Sequence, residues 1–307
     1  MTPDSLRSPN FFLVGAAKSG TTALAKHLAG HPDVFVSKPK EPNYYAFHEG
    51  ERPSCKGPID EKRLYDVLLK YSVTEKRAYQ SLFADAGEAT AVGEASVRYL
   101  YEPFTAARIA SDHPDARVLI ILRDPVERMH SHYHMNLHKG VEPLAFERAL
   151  KAEDDRVAAG WGWDWHYRRV GMYAEQVRRF VNQFGEDQVL TVFHRDLAGE
   201  PLAVWRLVCE HLRVSAEFTP EFQQKVLVGR TPRSRLLKRL VWDDGFVKSM
   251  ARALVPSALR DCVAKRVNAA NVGRVTPLTV DAKNRLSRLF SEDKRELEEV
   301  LGRRAPW

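Results

Sequence analysis

The sequence predicts an α/β fold, a doubly wound parallel sheet with a P-loop-like nucleotide site and a helical C-terminal part. Three observations predict it. The apolar run Phe11-Phe12-Leu13-Val14-Gly15 passes through a small polar loop into a helical pattern, which is how a nucleotide-binding α/β unit opens. Arg117 to Leu122 is β-branched, apolar and unbroken, as a central parallel strand buried on both faces requires. Strands then alternate with helices, and no period repeats.

The elements follow in order. Phe11 to Gly15 reads as a buried strand and Ala23 to Ala29 as a helix. His31-Pro32-Asp33 is a turn, and Val34-Phe35-Val36 is a second short strand. Lys38 to Gly57 is rich in Pro, Gly and charge and reads as a loop that contains Tyr44, Tyr45 and Phe47. Helical patterns run from about Asp60 to Tyr71 and from Glu75 to Ala84, with a strand at Ala91 to Ser96. After the strand ending at Leu122, Asp124-Pro125 marks a helix start, with Asp as N-cap and Pro in the first turn. Then come a helix at Tyr173 to Phe184, a strand at Gln188 to Phe193, a helix at Leu202 to Leu212 and helical structure from Asp281 to Leu301. We read residues 1–307 as one domain, with 1–10 an N-terminal tail and 225–307 a basic helical part of the same domain.

Composition sets the class. The chain is 44% hydrophobic and 28% charged, as soluble globular proteins are. The N-terminus has no basic segment leading into an apolar one, and no window approaches 18 apolar residues, so neither a secretory signal nor a transmembrane segment is expected. Cys55, Cys209 and Cys262 are few, odd in number and scattered, a pattern of reduced thiols, so the expected location is cytoplasmic. The net charge of +7 is uneven: Lys225 to Arg274 holds twelve Lys or Arg against three acids. That basic stretch is either a solvated helical face or a site for phosphates or an anionic acceptor. Its few aromatics argue against nucleic acid.

The loop Gly15-Ala16-Ala17-Lys18-Ser19-Gly20-Thr21-Thr22 lies where strand becomes helix. Backbone N–H groups at a helix N-terminus have no internal partner and bind anions. Ser19, Thr21 and Thr22 add hydroxyls, and Lys18 adds a mobile charge. A nucleoside-triphosphate loop would read GxxxxGK[ST]. Here both glycines have that spacing, but Thr21 occupies the lysine position and the lysine stands in mid-loop. A second site follows at Arg123, on the carboxyl end of a parallel strand, with Ser131 eight residues on. That edge is where such sheets bind ligands, and guanidinium pairs bidentately with phosphate. A metal-binding acid would be expected there in a nucleoside triphosphatase, and Arg123 disfavours it. Two phosphate sites, one at each βα junction, imply a nucleotide phosphorylated at both ends.

GAAKSGTT resembles the 5′-phosphosulfate loop of sulfotransferases that use 3′-phosphoadenosine 5′-phosphosulfate (PAPS), and ILRDPVERMHSHY resembles their 3′-phosphate motif. The stretch GMYAEQVRRFVNQFGEDQVLTVFHRDLAGEP resembles the family's third block, and RTPRSRLL resembles the basic loop that closes over the nucleotide. The likeness runs from about Phe11 to Trp307 and is strongest to the bacterial and heparan-sulfate-type branch. It implies PAPS as co-substrate, 3′-phosphoadenosine 5′-phosphate (PAP) as product, and no metal. Residue by residue it implies Lys18 on the bridging and leaving oxygens, Ser19, Gly20, Thr21 and Thr22 on the 5′-phosphate, and Arg123 and Ser131 on the 3′-phosphate. Arg230, Arg233 and Ser234 would belong to the closing loop, which departs here from the KGR type of the heparan enzymes.

Transfer needs a proton acceptor for the acceptor's hydroxyl or amine. Lys40-Glu41-Pro42-Asn43-Tyr44-Tyr45 is similar to the (A/K)EPxFF segment that carries the glutamate base in that branch, so Glu41 is the expected base and Glu94 the alternative. Ala95 stands where the heparan enzymes have lysine. His130, His134 and His138 share a helix face without a completing carboxylate or cysteine pattern, and we expect no metal there. Trp161, Trp163, Trp165 and Tyr167 read first as core packing, with a lid over the acceptor as the alternative. Small molecules, glycolipids and saccharides all stay open as acceptors, as does oligomeric state. A nucleotide binder without catalysis and a nucleotide kinase are the competing functions.

Overall fold

The computed structural model describes residues 7–51, 55–222, 230–232, 272–275 and 277–307. Five strands form one parallel sheet: β1 (Phe11–Gly15), β2 (Val34–Val36), β3 (Ala91–Ala95), β4 (Arg117–Leu122) and β5 (Val189–Phe193). Their order is β2-β3-β1-β4-β5. Phe11 to Leu13 lie in register with Gly93 to Ala95 on one side and Arg117 to Leu119 on the other. The five strands expected from periodicity are therefore the five of this sheet, with bounds moved by a residue at most.

Among the described residues seven helices have eight residues or more: α1 (Thr21–Leu28), α2 (Thr105–Asp112), α3 (Pro125–Lys139), α4 (Tyr173–Phe184), α5 (Pro201–Leu212), α6 (Val280–Ser287) and α7 (Ser291–Leu301). Alternation along the strands decides which helix packs where, because successive side chains point to opposite faces. Phe12, Val14, Val118, Ile120 and Leu122 face one layer, where Ile109 of α2, Val177 and Phe180 of α4 and Leu297 of α7 cover them. Phe11, Leu13, Leu119 and Ile121 face the other, beneath Leu24 and Leu28 of α1 and Trp205, Val208 and Leu212 of α5. Both faces are covered, which explains why β1 and β4 read as continuous apolar runs.

The helix starting after Asp124 is built as expected. Asp124 Oδ1 accepts from the N–H groups of Val126 (2.9 Å) and Glu127 (3.3 Å), Pro125 opens the helix, and Gly140 ends it at φ 78°. Three features differ from expectation. The helix at Glu61–Leu64 loosens into a π-helical stretch over Tyr65–Leu69. The segment holding Tyr44 and Tyr45 is a short 3-10 turn whose rings are buried against Tyr79 and Tyr99. Helix α2 has no counterpart in the sequence reading. Strands β6 (Arg230–Pro232) and β7 (Val272–Arg274) pair antiparallel, α6 and α7 supply the helical C-terminal part, and residues 233–271 lie outside the described residues. Among the described residues no helix is long and apolar enough to cross a membrane.

From β1 the chain leaves toward β2 and β3, and from β3 it crosses to β4 on the opposite side. The connections after β1 and β4 therefore diverge, and a crevice opens between their carboxyl ends. The two sequence motifs sit at those ends.

Candidate active site

The loop after β1 is tied to β4 by the Ala16 N–H, which donates to the Ile121 carbonyl (2.7 Å). The loop curls through two left-handed residues, Lys18 (φ 69°) and Gly20 (φ 99°). At Gly20 the conformation favours glycine, and a Cβ would also lie 3.2 Å from the His194 ring. This curl delivers the chain into α1, whose first-turn N–H groups at Thr21 and Thr22 have no intrahelical partner. The Ser19 side chain is fully buried near the Tyr173 hydroxyl, yet its oxygen has no hydrogen-bond partner of good geometry. A buried, unpaired hydroxyl among free amides suits an anion.

Lys18 is half-buried. Among the described residues its ammonium hydrogen-bonds only to the Met135 thioether (Nζ···Sδ 3.7 Å), a weak acceptor. Burial, followed by the charge of Lys139 at the end of α3, lowers its pKa from 10.5 to about 8, with Glu41 acting in the opposite direction. Among the described residues the lysine thus has no carboxylate hydrogen-bonded to it, and an anion placed against it raises its pKa again. Binding of a phosphate-bearing ligand there, of which PAP is the one that the sequence resemblance implies, is therefore expected to take up part of a proton between about pH 7.5 and 9.5, and to weaken as pH rises above about 8. Calorimetry at pH 8.5 in buffers of different ionisation enthalpy measures this uptake. A buffer-independent enthalpy would mean that Lys18 does not face the phosphates.

Glu41 is held at the carboxyl end of β3. Its N–H donates to the Ala95 carbonyl (3.0 Å), and the Asn43 N–H donates to Ser96 Oγ (3.0 Å). Like Lys18, Glu41 has left-handed backbone (φ 65°), as does Asn43 (φ 53°). Such conformations are unfavourable for L-residues and concentrate at functional sites. The Glu41 carboxylate lies 2.6 Å from Lys40 Nζ with its side chain 41% exposed. Burial opposes its charge, but the Lys40 ammonium and hydrogen bond, with Lys139 and Arg98, prevail and hold it below the usual carboxylate range. It is an ionised, reachable carboxylate. Glu94 is different: fully buried, it accepts from the hydroxyls of Tyr79 (3.0 Å), Tyr99 (2.7 Å) and Ser96 (2.6 Å). Burial pushes its pKa up to about 7 against those hydrogen bonds. Through Ser96 it braces the Glu41 loop.

Arg123 stands at the end of β4. Its Nη1 donates to the Lys18 carbonyl (3.3 Å), joining the two motifs, and its Nε and Nη2 donate to Glu127 (3.3 and 3.1 Å). Ser131 lies two turns into α3 and is half-buried. The backbone of Arg230 lies in β6, beside α3, while Arg233 and Ser234 lie outside the described residues.

Three residues that the sequence did not assign belong to this site. Tyr173 opens α4 and donates its hydroxyl to the Arg123 carbonyl (3.0 Å), bracing the second motif from the third. Met135 and Lys139 project from α3 toward Lys18. Only Tyr173 left a signal, as part of the block at Gly171. The aromatic run is core: Trp165 and Tyr167 are fully buried, Trp165 Nε1 donates to the Val141 carbonyl (3.0 Å), and Trp163 packs on Ala17 beneath the loop. His130 and His134 face each other at 2.9 Å between Nε2 atoms.

Comparison with known proteins identifies the family. A family model described as "Sulfotransferase family" matches residues 9–219. The solved structure of a sulfotransferase from Alicyclobacillus acidocaldarius shares 30% identity and a TM-score of 0.74, over 97% of this chain and 98% of that one. Carbohydrate sulfotransferase 15 of Rattus norvegicus is 31% identical over 48% of this chain and 29% of its own length. Heparan sulfate glucosamine 3-O-sulfotransferase 3B1 of Mus musculus is 26% identical over 68% of this chain and 47% of its own length. The chain thus spans less than half the length of these curated relatives.

Proposed function

Because the chain belongs to the sulfotransferase family, we propose that it moves a sulfuryl group from PAPS to a hydroxyl or amine by in-line displacement. The observation that carries this reading is the joining of two phosphate elements across one crevice, with Arg123 hydrogen-bonded to the Lys18 carbonyl. The α1 amides with Ser19, Gly20, Thr21 and Thr22 would hold the 5′-phosphate, and Arg123 with Ser131 the 3′-phosphate. Arg230, Arg233 and Ser234 would close over the nucleotide.

In that arrangement Glu41 accepts the acceptor's proton as the new bond to sulfur forms. Lys18 donates to the bridging oxygen as its bond to sulfur breaks, so the charge left on the phosphate meets an ammonium. Positioning and electrostatics then provide most of the rate, as they do in phosphoryl transfer. The site needs no metal in this mechanism. The relatives' names direct the acceptor search to saccharides first, with Ala95 a departure from the heparan type.

Calorimetric titration with PAP, AMP and ATP tests the reading. PAP is expected to bind at least about tenfold more tightly than AMP, and Arg123→Ala to erase that difference, since a bidentate phosphate contact is lost. Equal affinity for ATP and PAP, or magnesium-dependent ATP binding, would favour a kinase and reject the assignment.

A further inference from the structure

The ion pairs around Arg123 extend beyond the family's motifs. Glu127 divides its carboxylate: Oε2 accepts from Arg123 (3.1 Å) and Oε1 from Lys283 Nζ (2.9 Å). Lys283 also lies 3.0 Å from Asp124 Oδ2, the N-cap of α3. It reaches this point from α6, 156 residues further along the chain. The array Arg123–Glu127–Lys283–Asp124 alternates in sign and is balanced, two cations against two anions. A phosphate that takes the Nε–Nη2 edge of Arg123, the edge that Glu127 holds, displaces this carboxylate, which is then left beside a second anion unless another cation holds it.

We propose that Lys283 is the positioning residue that frees Arg123 for the 3′-phosphate. The phosphate takes the place of Glu127 on Arg123, and Glu127 falls back on Lys283. The exchange rests on the reading of Arg123 as the 3′-phosphate arginine. It also sharpens selection: a nucleotide without a 3′-phosphate leaves the Arg123–Glu127 pair intact and draws nothing from Lys283. Lys283 and Glu127 side chains are 42% and 44% exposed, so their pairing adds little to folding stability. Their effect falls on ligand exchange.

A double-mutant cycle read by PAP and AMP titration of the full chain tests the exchange. Lys283→Ala is expected to weaken PAP about tenfold while AMP affinity stays within about twofold. Glu127→Gln should tighten PAP, and Lys283→Ala with Glu127→Gln should bind PAP at least as well as the unmodified protein, because no carboxylate competes. Lys283→Arg keeps the charge and should restore PAP affinity. A double variant as weak as Lys283→Ala alone would make Lys283 a direct phosphate ligand and overturn the exchange. Unchanged PAP affinity in Lys283→Ala would overturn it as well. If the unmodified protein does not distinguish PAP from AMP, the Arg123 reading itself fails, a result separate from either of these.

Discussion

Replacing Lys18 by alanine is expected to lower turnover by about 10²–10³-fold, the usual loss when one preorganised donor to a developing oxyanion is removed. The reason lies in its surroundings. The ammonium is half-buried, its only described hydrogen bond is to a thioether, and Lys139 and Arg123 add like charge nearby. Among the described residues no carboxylate is hydrogen-bonded to it and would have to be displaced before it meets the leaving phosphate. PAP affinity should fall far less than turnover, because the α1 amides and Arg123 remain. Single-turnover rates with labelled PAPS separate the two effects. A variant that loses affinity but keeps its single-turnover rate would make Lys18 a binding residue alone.

Glu41→Gln is expected to reduce transfer by about 10²–10⁴-fold, the range for loss of a general base, with PAP affinity nearly intact. The substitution is isosteric, and the N–H of residue 41 that holds the loop on the Ala95 carbonyl is retained. The pairing with Lys40 keeps this carboxylate ionised at neutral pH. Glu94→Gln provides the contrast. It disturbs a buried carboxyl that accepts three hydroxyls, so it should lower stability and loosen the Glu41 loop. An active Glu41→Gln protein alongside an inactive but folded Glu94→Gln would exchange their assigned roles.

Much of this was legible in the chain because the local signals agree with the tertiary ones. Strands β1 and β4 are buried on both faces, so their apolar runs are unambiguous, and Asp124-Pro125 starts α3 as a cap and a fixed φ should. The loop after β1 and Arg123 were marked by glycines and strand ends. What stayed hidden depends on distant partners. Helix α2 buries only Thr105, Ala106 and Ile109, too narrow an apolar stripe to stand out between charged residues. Lys283 meets Glu127 across 156 residues, and no spacing rule predicts that. Lys139 reads as a helix-end lysine until α3 is placed beside the loop. The tryptophans leave two readings open, core first and lid second, because clustered aromatics look alike whether they pack inward or wait for a ligand.

Helix α3 holds a constraint on how such a protein diverges. Its fifteen residues form a rod of about 22 Å, with Asp124, next to the proposed nucleotide arginine Arg123, capping one end and Lys139 at the other. On the proposed reading, a substitution that shifts the rod to suit a new acceptor also shifts the donor site, so donor and acceptor preferences are coupled through it. New acceptor preferences are therefore reached more easily by substitutions off the rod that spare Glu41 and the buried tyrosines and tryptophans of the neighbouring segments. A lineage built on this fold can keep one sulfuryl donor and try many acceptors.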